Sequence, residues 1–191
     1  TDGVCPTVCE TTVTTVASTL WSLKSQGDLF ITQSSTPVRS RQLLGSALSD
    51  DILRLTFRAD AEDIDVTNLV FTATSADASF FAQNVSRLEL YQVGSVTPFA
   101  VATVGACGAA PVPMNSMCAV MSNGQFVIPK GTNASVLVRA RMNSDSNGAV
   151  SGKKLTLSLD AVAGAKARGF VSSRNLTPSD GDATSTGEYF I

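Results

Sequence analysis

Apolar and polar residues alternate along most of this chain, and the dominant period is two rather than 3.6. In "DILRLTFRADA", Leu53, Leu55, Phe57 and Ala59 alternate with Arg54, Thr56, Arg58 and Asp60, which predicts a half-buried strand with a polar outer face. "DIDVTNLVFTAT" follows, with Ile64 and Val66 and then Leu69, Phe71 and Ala73. The phase slips by one between Val66 and Leu69, as a bulge or turn at Thr67-Asn68 would make it. "GDLFITQSS" opens the set, and "SRLELYQVGS", "PFAVATV" and the short "GQFVIPKG" continue it. "ASVLVRARM" places Val136, Val138, Ala140 and Met142 inward and Leu137, Arg139 and Arg141 outward; "KKLTLSLDAV" closes with Leu155, Leu157, Leu159 and Ala161. About eight strands thus lie between Gly27 and Val171, parted by turns such as Asn123-Gly124, Lys130-Gly131 and Asn147-Gly148. This spacing predicts an all-β fold, an antiparallel β-sandwich. Ala76–Val85 is the one candidate for a short helix or 3₁₀ crossover.

The ends differ from the middle. Residues 10–26, "ETTVTTVASTLWSLKSQ", are rich in hydroxyls and β-branched residues, and four threonines among positions 11–15 favour an extended segment over a helix. At the other end "RNLTPSDGDATSTGEYFI" is a polar linker running into Tyr189, Phe190 and Ile191. A terminus is normally polar and frayed, so an apolar one suggests docking. The expected organisation is an extended N-terminal segment (1–26), a β-sandwich (27–175), and a linker with a terminal strand (176–191).

The order of "GDLFI", "LRLTFRADAEDIDVTNLVFTAT", "LELYQVGS", "GQFVIPKGTNASVLVRARM" and "SGKKLTLSL" resembles the Ig-like β-sandwich modules of secreted, cell-surface proteins of bacteria and archaea, including those of surface layers and stalks. The resemblance covers about three-quarters of the chain. It implies scaffolding, adhesion or lattice formation and carries no catalytic residues. The Thr-rich N-terminal segment and the Cys107–Cys118 stretch depart from a plain tandem repeat.

Composition narrows the chemistry. Among 191 residues there is no histidine, which removes Ser-His-Asp and Cys-His catalysis and the usual transition-metal ligand. Fourteen Lys and Arg stand against 16 Asp and Glu, a balance that argues against a nucleic-acid partner. There are 23 Ser and 20 Thr against those 30 charged residues, so hydroxyls wet the surface more than ions do. No stretch approaches the ~18–20 apolar residues of a membrane span. The chain starts at Thr1 with no charged and apolar leader, as expected of a processed chain or a piece of a longer one.

The cysteines form two local pairs, Cys5 with Cys9 and Cys107 with Cys118. Local pairing is the simplest of the three disulfide arrangements. A zinc site using all four is the rival, and C-x10-C makes a poor second half for it. Asn84, Asn133 and Asn175 open N-x-[ST] glycosylation motifs. Disulfides and sequons together favour an extracellular or cell-surface location.

Asp60, Glu62, Asp63 and Asp65 are weak candidates for structural calcium, with a solvated turn as the alternative. "NSDSNG" imitates half of a calcium loop, but Lys154 stands where the bidentate Glu belongs, so a polar turn is expected there. No cofactor is called for. Trp21, Tyr91 and Tyr189 are candidates for a sugar-stacking platform, with core packing as the alternative. Nothing selects a carboxylate pair for glycoside hydrolysis, and no enzyme is expected.

An open sheet edge can be filled by a strand from a neighbour. Thr11–Leu23, with Val13, Ala17, Trp21 and Leu23 on one face, suits such a strand, and Glu188–Ile191 is the second candidate. The expected function is an extracellular structural subunit that polymerises with copies of itself into a filament, tubule or surface lattice. The competing reading is a monomeric adhesin or carbohydrate-binding module, with cell-surface glycans as partners.

Overall fold

Alternation sends every second side chain of these strands inward, and the strands curl around that shared interior. The structure, a computed structural model, describes residues 27–34, 42–74, 80–107, 110–111, 115–152, 156–160, 164–178 and 188–190. Its strands are β1 (Asp28–Gln33), β2 (Leu48–Asp60), β3 (Ile64–Thr74), β4 (Val85–Gln92), β5 (Ala100–Thr103), β6 (Ala106–Cys107), β7 (Ala110–Pro111), β8 (Ser116–Val120), β9 (Val127–Ile128), β10 (Asn133–Met142), β11 (Thr156–Leu159), β12 (Ala165–Gly169), β13 (Asn175–Pro178) and β14 (Glu188–Phe190). The helix α1 (Phe80–Asn84) falls inside the stretch expected to hold a short helical crossover.

Twelve of these strands form one sheet. Hydrogen bonding runs β3–β12–β13–β14–β1–β2–β10–β4–β5–β8 and returns to β3, a closed circuit of ten strands. β11 continues the β12 edge of β3, and β9 continues its β8 edge. The all-β, antiparallel expectation holds. The structure differs from a sandwich in that one sheet bends back onto itself, nearly as a barrel, in place of two separate sheets. Closure pairs edges that an open sheet would expose.

The inner face is apolar throughout. Leu29 and Ile31, Leu53 through Ala59, Leu88 and Leu90, and Val136 through Ala140 are buried at alternate positions. The phase slip in β3 is a bulge. Lys166 pairs with Asn68 and Ala167 with Val66, which leaves Thr67 as the extra residue. Ile64 and Val66 before it, and Leu69, Phe71 and Ala73 after it, are all buried. Leu159 is buried and Leu157 packs at the core's edge, as expected; Leu155 and Ala161 lie outside the described residues.

The stretch around the two later cysteines, "GACGAAPVPMNSMCAVMSNG", shows no alternation and reads as a loop with little regular structure. It contains β8 instead, which pairs with β5 on one side and β3 on the other and so completes the ring. Four of its five residues, Ser116 to Ala119, are buried, so its pattern does not alternate. Met117 and Ala119 join the core, whereas Cys118 packs with Val70 and Cys107 in a separate small cluster. A strand covered on both sides carries no period-two signal.

Candidate functional site

Four features of the fold bear on function: a knot of acids at one end, a charged outer face, a disulfide, and a seam closed by β14.

The acidic run Asp60–Asp65 sits where β2 turns into β3, and three of its four carboxylates, Glu62, Asp63 and Asp65, each hold a different piece of backbone. Glu62 accepts hydrogen bonds from Gly27 N–H (2.8 Å), Val171 N–H (3.1 Å), Ser172 N–H (2.9 Å) and the Ser172 hydroxyl (2.7 Å). It thereby ties the start of β1 to the β12–β13 turn. The approach is close: a side chain on Gly169 would collide with Glu62 and Ser172, and one on Gly27 would come within 2.7 Å of Ile64 Cδ1. Burial raises the Glu62 pKa, but the hydrogen bonds from Ser172, Gly27 and Val171 outweigh it, and the net shift is downward. Asp63 accepts from Lys130 N–H at 2.7 Å. Asp65 is fully buried, accepts from Gly124 N–H at 3.0 and 3.1 Å, and lies 3.3 Å from Arg168. Asp60 takes Arg58 in a forked pair.

These acids are spent on turns. Among the described residues no group of three or more His, Cys, Asp or Glu side chains is placed to hold a metal ion. Glu62→Gln replaces one of two acceptor oxygens with a donor that faces N–H groups. It is expected to cost about 1–2 kcal/mol in urea denaturation at neutral pH. "NSDSNG" forms a 3₁₀ turn over Asp145–Asn147, ended by Gly148 in the left-handed region (φ 85°), in keeping with a polar turn.

The outer face of β2, β10 and β4 carries an ion-pair ladder. Register places Asp51, Arg139 and Glu89 side by side on the three strands, with Arg141 next to Arg87. Glu89 is 4% exposed although it points outward. Arg87 Nε (3.0 Å), Arg141 Nε (2.9 Å) and the Tyr91 hydroxyl (2.6 Å) all donate to it. Burial alone raises its pKa; the bonds from Tyr91, Arg141 and Arg87 win and hold it at about 2. Arg139 pairs with Asp51 at 2.9 Å, and its guanidinium lies 4.6 Å from the centre of the Tyr91 ring. The alternation of β10 places Arg139 and Arg141 outward but gives them no partners. The signal was present, since Arg87, Glu89 and Tyr91 alternate on one strand as Arg139 and Arg141 do on another. Only the register brings them together.

Cys107 and Cys118 form a disulfide, with Cα atoms 5.6 Å apart. Asn68 Nδ2 donates to Cys107 Sγ at 2.9 Å, so the bridge sits over the outer side of β3 and β8. Cys5 and Cys9 lie outside the described residues. Closing a loop with a sequence separation of 11 is expected to contribute about 2–3 kcal/mol. Thermal melts with and without reductant measure it, and coincident melts would show the bridge to be inconsequential.

Of the three sequons, Asn84 is buried, and its Oδ1 accepts from Val150 N–H at 2.8 Å, so a glycan cannot attach to the folded chain there. Asn133 and Asn175 are exposed, each at the first residue of a strand. Tyr91 is buried, 3% exposed, beneath Arg139, so it offers no open face for stacking sugars. Trp21 lies outside the described residues.

The last feature is β14. It pairs with β1 through Leu29↔Tyr189 and Phe30↔Phe190, and with β13 through Thr177↔Glu188 and Pro178↔Tyr189. Both ladders are parallel, whereas the other pairings between described strands are antiparallel. β1 and β13 have no direct pairing, so a three-residue strand bridges the gap in the ring. Tyr189 and Phe190, expected to dock, thus have their backbone in the sheet. Ile191, and the candidate donor residues Val13, Ala17, Trp21 and Leu23, lie outside the described residues.

No protein family, curated protein or solved structure matches the chain. Among the described residues, no helix is long and apolar enough to cross a membrane.

Proposed function

We propose that this chain is an extracellular structural subunit, related to the Ig-like modules its sequence resembles. It assembles with copies of itself into a filament, tubule or surface lattice by β-strand addition, and its role is mechanical, not catalytic. The observation that carries this reading is the seam: a ring of strands whose last gap is filled by the three residues Glu188–Phe190. A gap of that kind takes a strand from any chain that presents one. The Cys107–Cys118 disulfide supports an oxidising compartment, and the exposed sequons Asn133 and Asn175 are compatible with it. The adhesin or carbohydrate-binding alternative draws no comparable support, because Tyr91 of its aromatic platform is covered.

Negative-stain electron microscopy of the purified protein, paired with sedimentation velocity, tests the proposal. Ordered polymers that grow with protein concentration are expected. A single monomeric boundary at every concentration, with monodisperse particles, would overturn it.

A further inference from the structure

We infer that the strand passed between subunits is the C-terminal one: β14 of one copy occupies the seam between β1 and β13 of the next. This rests on the strand-addition reading above and says which segment moves, where it lands and in which direction it runs.

Three observations lead there. First, β14 completes the ring and touches it through a short register on each side, two pairs with β1 and two with β13. On the β1 side the next ladder is much longer, since β1 pairs with β2 along its whole length, from Asp28↔Asp60 to Gln33↔Leu55; on the other side β12 and β13 share two pairs. At the seam, Pro178 has no N–H to give the ladder. β14 is therefore held by four pairs in all, and its departure leaves the long β1–β2, β2–β10 and β10–β4 ladders untouched.

Second, its direction is unusual for its connection. Adjacent parallel strands in one chain normally need a crossover of about a dozen or more residues, usually a helix packed on the sheet. Between Pro178 and Glu188 stand nine residues, "SDGDATSTG", with no apolar side chain larger than alanine. That composition has nothing with which to pack back over the barrel. Nine residues can extend to about 30 Å, several times the ~5 Å between adjacent strands that the return within one chain spans.

Third, the seam is incomplete without a strand. The flanking core residues Leu29, Ile31 and Leu176 are at most 5% exposed. An empty slot beside them opens the backbone of Leu29 and Phe30 on one side and of Thr177 and Pro178 on the other. Both walls of the slot run the same way, so the guest strand enters with one polarity. Each copy gives one strand and receives one, and the contact is head-to-tail. Unless its rotation happens to close a ring, such a contact propagates as a filament.

Cross-linking in the full-length chain tests the assignment. In a Cys5→Ser, Cys9→Ser background, one variant carries Phe30→Cys and another Phe190→Cys, the positions that pair in register. Paired residues of neighbouring strands lie within disulfide range. The two variants are mixed, oxidised and run on a non-reducing gel, and the chain carrying both changes is treated alike. Exchange gives a covalent dimer from the mixture and a ladder of multimers from the double variant. A strand that stays at home gives no dimer from the mixture and a monomer with an internal bond from the double variant, and that result overturns the inference.

A second variant, with residues 183–187 deleted, guards against a misfolded cysteine variant. Four linker residues fall further below the dozen or so that a parallel return normally takes, so exchange predicts that polymers persist and the monomer fraction falls several-fold. Collapse of the polymer, with unfolded monomer left behind, refutes it. Polymers in the microscope together with purely internal cross-links would leave the structural-subunit reading standing and remove only this assignment. Absence of polymers would remove both.

Discussion

Phe126→Ala is expected to lower stability by about 3–5 kcal/mol. Phe126 lies outside the strands, in the segment between β8 and β9, yet it is only 1% exposed. Its ring meets Phe57 edge-to-face at 5.3 Å and an interplanar angle of 89°, and it lies 4.9 Å from the ring of Phe99. Its carbonyl accepts from Val66 N–H at 3.0 Å, which fixes the backbone as well. Alanine would leave a cavity between Phe57 and Phe99 at the end of the barrel where Asp65 holds Gly124. Phe126→Leu keeps most of the volume and is expected to cost about 1–2 kcal/mol. Chemical denaturation with an unchanged m-value reads both. A loss below about 1 kcal/mol for alanine would mean that the ring does not fill the barrel's end.

Glu89→Ala is expected to cost about 3 kcal/mol at neutral pH. The change leaves the buried Tyr91 hydroxyl without its acceptor and Arg87 and Arg141 without their shared counter-charge. Both arginines are partly exposed and regain water, which keeps the loss from being larger. The pH dependence is more diagnostic than the size. The Glu89 pKa is held at about 2 in the folded chain, against 4.5 ordinarily. Its stabilisation is therefore complete above about pH 5 and disappears as the pH falls from there toward 2. Integrated over that window, the shift corresponds to about 3 kcal/mol. Glu89→Gln should flatten this acid limb while leaving the profile between pH 6 and 8 shifted but parallel. An acid limb identical to that of the parent chain would assign the titration to other carboxylates. Glu62, whose pKa is also lowered, is the first of these, and Glu62→Gln serves as its control. On the alkaline side Tyr91 titrates above its usual value of 10, because of burial first and its bond to Glu89 second. Its contribution is complete below that value and is lost as the pH rises through the raised one.

The two residues differ in how visible they are in the sequence. Glu89 stands in a plainly alternating strand, and its outward position follows from the pattern. Its burial does not, because it depends on Arg141 arriving from β10 in register with Arg87. Phe126 follows the Asn123-Gly124 turn in a stretch too short for any period to show. The acids from Asp60 to Asp65 illustrate the same limit. Four carboxylates in six positions look alike along the chain. In space one takes an arginine, one binds Lys130 N–H, one binds Gly124 N–H beside Arg168, and one gathers four donors from Gly27, Val171 and Ser172.

What this sequence determined by itself is local. Alternation in β2, β3, β4 and β10 set the strand class, the inward residues and the phase slip at Thr67-Asn68, since side-chain direction repeats every two residues wherever one face is buried; that the slip is a bulge and not a turn is visible only in the register with β12. The pairing of Cys107 with Cys118 was also within reach, because the two are close along the chain. The tertiary structure alone decided that the sheet closes. Closure depends on β8, which is covered on both sides and so loses its alternation, and on β14, which is three residues long and lies far along the chain from its partner β1. A contact between distant segments leaves no period in either of them. The seam, the charged ladder and the path of the ring are therefore properties of the register between strands, which no single stretch of the chain encodes.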